Sequence, residues 1–179
     1  MAATTGLTID DFERLPADAV KHRELVDGEL IDVSGNTPRH NLLRDFLLTL
    51  LRNWIAQGHP GIAIAEQEYD FFGNAHGPDI TYLSQEKEML LDLDKRVQRF
   101  VPDLAVEIAS NNDTHTALLR KKNRYRHAGT AEVWLIDPEA REISIYSDRG
   151  NVILSSGDML TSPILPEFSI ALNDLFLGL

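Results

Sequence analysis

Apolar residues recur along the chain with two periods, and the switches between them mark out the elements. From Pro38 to Gln57, Leu42, Leu43, Phe46, Leu47, Leu50, Leu51 and Trp54 fall on one broad helical face, and Gly58 and Pro60 end the run. TIDDFERLP predicts a short helix capped by Thr8, with Pro16 beyond its end. RELVDGELIDV reads as a hairpin, because Asp27-Gly28 separates two runs of strand formers. IAIAEQEYDFF reads as one strand, and GPDITYL starts another after the Gly77-Pro78 break. QEKEMLLDLDKR is ambiguous, a short helix and then a loop. PDLAVEIAS has the pattern of a central strand. Asp113 to Ala128 predicts a helix with Asn112 or Asp113 as cap and Gly129 as its stop. AEVWLID and EISIYS are strands around a Pro138-Glu139 turn, NVILSS adds another, and ALNDLFLGL closes with a short helix. This order predicts a single α/β (α+β) domain over residues 1–179, a mixed sheet with helices against its faces.

The composition narrows the chemistry. There is no cysteine, which excludes a disulfide scaffold and any cysteine-ligated zinc or iron–sulfur site. The first residues lack a basic stretch followed by an apolar run, and no apolar stretch approaches the ~20 residues of a membrane span, so the expected location is cytoplasmic. With 17 basic and 28 acidic residues the formal charge is −11, which argues against a protein that coats nucleic acid non-specifically. An enzyme with a local basic patch remains compatible with it.

Within PDLAVEIAS, side chains alternate: Leu104, Val106 and Ile108 share one face, and Asp103, Ala105, Glu107 and Ala109 the other. A glutamate in the middle of a central strand needs a reason, either an edge position or ion pair, or a functional role. On the following helix, Ala117, Leu118, Lys121, Tyr125 and Ala128 fall within one arc, so Lys121 stands in the core-facing stripe. It is either a snorkelling lysine or an ammonium aimed at a carboxylate. From Glu107 to the turn is about 13 Å of strand, and from the turn back to Lys121 about 13.5 Å of helix. A helix folded back over the strand therefore brings Lys121 level with Glu107. Asp79, just after the Gly77-Pro78 break, is either a turn residue or a second carboxylate beside Glu107. Two carboxylates suit Mg²⁺, a hard cation that keeps several waters. Such a metal activates water and offsets charge at a phosphate, and a lysine beside it stabilises the developing transition state.

Asp79, Glu107 and Lys121 together resemble a PD-(D/E)XK nuclease centre. Ala109 stands where the lysine of that pattern is usual, so Lys121 would be a lysine moved to the next helix. RELVDGEL, the Thr37-to-Leu43 stretch with His40, GPDI, PDLAVEIAS, KKNRYRHAG and AEVWLIDP follow in the order seen in the Uma family of restriction-endonuclease-like proteins, over nearly the whole chain. The resemblance implies a restriction-endonuclease-like core, a mixed central sheet flanked by helices, and often a homodimer. Carried over by position, Asp79 and Glu107 are metal ligands for Mg²⁺ or Mn²⁺, and Lys121 is the catalytic lysine. Glu24 joins from the N-terminal side unless it is merely an exposed hairpin residue. Arg23 replaces the more usual aromatic residue and is available to pair with Glu24 or the site. Asp103 belongs to a second Pro-Asp pair, but about 13 Å of strand separates it from Glu107, which favours Asp79.

Arg120, Lys122, Arg124 and Arg126 form the one dense basic cluster, either phosphate contacts or a solvated helix face. His40 and Tyr125 read as structural, with a hydrogen bond near the site open to Tyr125, and Trp54 and Trp134 read as core. Ser110 reads as a turn residue rather than a nucleophile. Two functions stand side by side: a Mg²⁺-dependent endonuclease acting on DNA, and a silent nuclease-fold relative that binds nucleic acid or protein. The sequence leaves open the DNA that is cut and the biological role.

Overall fold

The computed structural model describes residues 6–33, 36–110 and 113–177. Thr8 Oγ1 accepts the Asp11 N–H while the Asp11 carboxylate accepts the Thr8 N–H, a reciprocal cap that starts α1 (Ile9–Arg14). A single turn, α2 (Ala17–Val20), leads into β1 (Arg23–Val26) and β2 (Glu29–Asp32). Asp27 and Gly28 both adopt positive φ, as the two-residue turn of a hairpin requires.

Thr37 caps α3 (Pro38–Ala56), with proline in the first turn, where a missing N–H costs nothing. The helix buries a narrower stripe than its apolar pattern suggests. Leu43, Leu47, Leu51 and Trp54 are buried, whereas Leu42 and Phe46 are 61% and 42% exposed. The sheet covers only part of the apolar arc, and these two lie on its open flank. The stretch read as one strand is two. Chain direction changes at Glu66, which has positive φ, so β3 (Ile62–Ala65) and β4 (Glu68–Asp70) enter different sheets. β5 (Ala75–His76) and β6 (Ile80–Leu83) flank the Gly77-Pro78 break. α4 (Gln85–Glu88) and a loop follow, then β7 (Val97–Gln98) and β8 (Leu104–Ile108).

α5 (His115–Ala128) is capped by Thr114, whose hydroxyl accepts the Ala117 N–H, not by the residues named from sequence. Asp113 instead closes a turn by accepting from the N–H and hydroxyl of Ser110, and Asn112 lies outside the described residues. Gly129, at φ 106°, ends the helix as expected. β9 (Glu132–Asp137), β10 (Glu142–Ser147) and β11 (Gly150–Leu154) form a meander. A ribbon of β12 (Met159–Ser162) and β13 (Leu165–Ala171), absent from the sequence reading, precedes the single turn α6 (Leu172–Leu175).

The six-stranded sheet runs β11-β10-β9-β8-β6-β3, antiparallel except for the parallel β8–β9 pair, which is the expected mixed sheet. A five-stranded sheet, β2-β1-β5-β4-β7, lies beside it. β8 divides the core. Leu104, Val106 and Ile108 pack with α3, β13 and α6 on one face. Ala105, with Val133 of β9, meets Tyr125 of α5 together with Tyr69 and Phe71 on the other. All five β8 residues are buried, so Glu107 is a charged residue in the middle of a core strand.

Candidate active site

Glu107 points to the α5 side of β8 because its neighbours Val106 and Ile108 take the α3 side. On α5, Lys121 and Tyr125 lie one turn apart and share a face. Both reach the same carboxylate: Tyr125 Oη donates to Glu107 Oε1 at 2.5 Å, and Lys121 Nζ lies 3.5 Å from Glu107 Oε2. Helix and strand thus meet as the length arithmetic required. Tyr125 has no exposed surface, whereas Ala117, placed on the same stripe from sequence, is exposed.

The third element is β1. Lys121 Nζ donates to Glu24 Oε1 at 2.9 Å, so one ammonium bridges two buried carboxylates. Glu24 is 7% exposed, not an open hairpin residue. Arg23 points away from it and pairs with Asp32 at 2.7 Å. β5 pairs with β1 through Ala75 and Leu25, which carries His76 next to Glu24, and His76 Nδ1 lies 2.9 Å from Glu24 Oε2.

The fourth element is β6. Ile80 stands opposite Val106 in the antiparallel ladder, and the next position puts Asp79 opposite Glu107. Asp79 Oδ2 accepts the Ile108 N–H at 2.7 Å, and Oδ1 lies 3.1 Å from His40 Nε2, contributed by the first turn of α3. Asp103 is at the far end of β8, where it accepts from Ser84 N–H and pairs with Lys87.

The charges respond to this packing. Burial raises the Glu24 carboxyl, but the His76 hydrogen bond and the Lys121 charge outweigh it and bring it down to about 2. Burial pushes Glu107 up to about 7; Lys121 pulls it down, and the charges of Asp79 and Glu24 push it up again. Burial disfavours the Lys121 ammonium, yet Glu107 and Glu24 hold it above the usual lysine range. Burial and the Glu107 charge raise the Tyr125 phenol, so it stays a donor. Burial lowers His40, and its hydrogen bond to Asp79 more than restores it.

Among the described residues, no group of three or more His, Cys, Asp or Glu side chains is arranged as a metal cage. The donor set still suits Mg²⁺, which needs one or two carboxylates and keeps its waters. Asp79 and Glu107 supply hard oxygens with lone pairs beyond those their hydrogen bonds use. Three carboxylates around one ammonium leave negative charge that a divalent cation would offset.

Residues 9–173 match a family model, Uma2, described as putative restriction endonuclease. The chain belongs to the Uma2 family. A crystal structure of a putative nuclease belonging to DUF820, from Anabaena variabilis ATCC 29413, aligns with a TM-score of 0.84 and 19% identity, covering 95% of this chain and 97% of that one. At that identity the likeness speaks for the fold, a mixed α/β architecture with helices on its sheets. No curated protein matches the chain. In this Uma2 chain the basic residues of α5 are mostly engaged. Arg124 pairs with Asp27 and approaches His76, Lys122 lies 4.4 Å over the Tyr146 ring, and Arg126 binds Asp148 and two carbonyls. Arg120 is exposed. His76 escaped the sequence reading altogether, since its partner Glu24 lies 52 residues away and no local spacing announces the pair.

Proposed function

We propose that the protein is a Mg²⁺-dependent endonuclease that hydrolyses DNA phosphodiester bonds through a PD-(D/E)XK-type centre whose lysine stands on the helix after the acidic strand. The observation that carries this reading is Lys121 Nζ bridging Glu24 and Glu107 in a buried cluster, with Asp79 opposite Glu107. Asp79 and Glu107 would hold the metal. When bound, the metal lowers the pKa of a water and offsets charge on the phosphate.

The chain's own residues do the rest. Lys121 has three donors and gives two to carboxylates, which leaves the third for the attacking water or a non-bridging phosphate oxygen. Tyr125 and His40 fix the rotamers of Glu107 and Asp79, so neither carboxylate has to reorganise when substrate binds. Arg120, Lys122 and Arg124 line the helix beside Lys121 and would contact the flanking phosphates. A symmetric pair of chains would serve to cut both strands.

The test is cleavage of supercoiled and single-stranded DNA with Mg²⁺ or Mn²⁺ by the parent, Glu107→Gln and Lys121→Ala. Each variant should lose at least about 100-fold in rate while its circular dichroism stays that of the parent. A parent that neither cuts DNA nor binds Mn²⁺ overturns the proposal and leaves a binding module.

A further inference from the structure

His76 is the most deeply buried histidine, 1% exposed, and sequence pattern gives it no role. Both ring nitrogens have neighbours. Nδ1 lies 2.9 Å from Glu24 Oε2, and Nε2 lies 3.4 Å from Arg124 Nη1. A guanidinium only donates, so the tautomer that satisfies both contacts has a bare Nε2 toward Arg124 and its proton on Nδ1, donated to Glu24. Arg124 is in turn held by Asp27 at the hairpin turn. A chain of contacts therefore runs Asp27, Arg124, His76, Glu24, Lys121.

The last link matters because Lys121 has two claimants, Glu24 at 2.9 Å and Glu107 at 3.5 Å. Glu24 holds the ammonium on its own side only while its carboxylate keeps this rotamer. The His76 proton on Oε2 fixes that rotamer by leaving Oε1 toward Nζ. Loss of that hydrogen bond would release Glu24 and let Lys121 close on Glu107, whose oxygens the proposed metal site needs.

We propose that His76, held in its Nδ1–H tautomer by Arg124, is a positioning residue that keeps Glu24 aimed at Lys121 and so keeps the Lys121 ammonium from closing on Glu107. The proposal rests on the endonuclease reading for its consequence. It concerns neither a metal ligand nor a group that touches substrate. The ring also packs against Phe71 and Tyr125, with centroids 6.0 Å and 5.7 Å away, so a purely packing role is the competing explanation.

Two substitutions separate the explanations. An asparagine amide nitrogen falls near the place of Nδ1, and a glutamine amide nitrogen near that of Nε2. His76→Asn keeps a donor for Glu24 but leaves a larger void. His76→Gln fills the space better but moves the donor away. Mn²⁺ affinity by titration, and kcat/KM on supercoiled DNA, should fall about 10-fold or more in His76→Gln and stay close to the parent in His76→Asn. Packing predicts the reverse order. A parent that binds and cuts, with glutamine at least as good as asparagine, overturns the role of His76 and leaves the endonuclease reading standing. A parent that does neither overturns the endonuclease reading. The ring nitrogen shifts of ¹⁵N-histidine-labelled protein then decide the hydrogen bond itself: a protonated Nδ1 and a bare Nε2, altered in Glu24→Gln, are expected, and a protonated Nε2 overturns the proposal.

Discussion

Glu24 sits between two donors and Glu107 between an ammonium and a phenol, and their carboxyls titrate on opposite sides of the ordinary glutamate value. For Glu24 the folded value, about 2, lies below 4.5, so the folded state holds the proton less tightly than the unfolded chain. Its contribution is present above pH 4.5 and is lost as pH falls toward 2, a loss on the order of 3 kcal/mol. Urea denaturation between pH 5 and 3 should show a steeper fall for the parent than for Glu24→Gln, whose side chain does not titrate. The Glu107 slope runs the other way, mostly at higher pH, and Glu107 is present in both proteins, so the difference between them reports chiefly Glu24. Tyr125→Phe should cost about 1–3 kcal/mol by the same measurement, because a buried Glu107 oxygen loses its donor while the ring packing stays. The residue types at the site were legible: Glu107 broke the apolar pattern of its strand, and Lys121 that of its helix face. The histidines beside Asp79 and Glu24, His40 and His76, were not legible as partners, because a lone histidine looks the same locally whether it packs or donates.

Among the elements, α5 carries the site and its ends are set by local chemistry. Thr114→Ala should remove the capping acceptor and cost about 1 kcal/mol, with faster amide exchange in the first turn and little change near Lys121. The geometry of β3 depends on a closer contact. Gly61 and Gly58 both have positive φ, yet a Cβ at Gly61 would lie 2.2 Å from the Leu83 carbonyl oxygen, and one at Gly58 meets nothing within 4 Å. Gly58→Ala should therefore show only the backbone cost, about 1–3 kcal/mol, while Gly61→Ala should be far more destabilising or fail to fold. Thermal melts of the two variants compare them directly. The division of IAIAEQEYDFF belongs here too. Apolar residues flank it on both sides and no Gly or Pro interrupts it, so its pattern does not place the kink at Glu66, which exists because two sheets claim the two halves.

The whole molecule is acidic, with a formal charge of −11, and on α5 Lys122, Arg124 and Arg126 already have partners. If Arg120, Lys122 and Arg124 are the phosphate contacts, DNA binding by Glu107→Gln should weaken with salt with a log–log slope of about −3 or shallower, far from the steep dependence of a protein that wraps DNA. Fluorescence anisotropy from 50 to 200 mM salt checks this, and a steep slope would mean a larger basic surface than α5 supplies. The six-stranded sheet is what unites the site, since β6, β8 and the helices on either face bring Asp79, Glu107, His40 and Lys121 to one end. What the amino-acid order determined by itself was short in range: the helices and the Gly129 stop, the Asp27-Gly28 turn, the two faces of Leu104–Ile108, and the strand and helix lengths that put Lys121 level with Glu107 once the helix folds back over the strand. Tertiary structure alone decided the rest. It chose which flank of the α3 apolar arc was buried, sent β3 and β4 to different sheets, and set His76 against Glu24 and His40 against Asp79. Those outcomes depend on partners tens of residues away, whose proximity is a product of packing and leaves no mark in the local pattern.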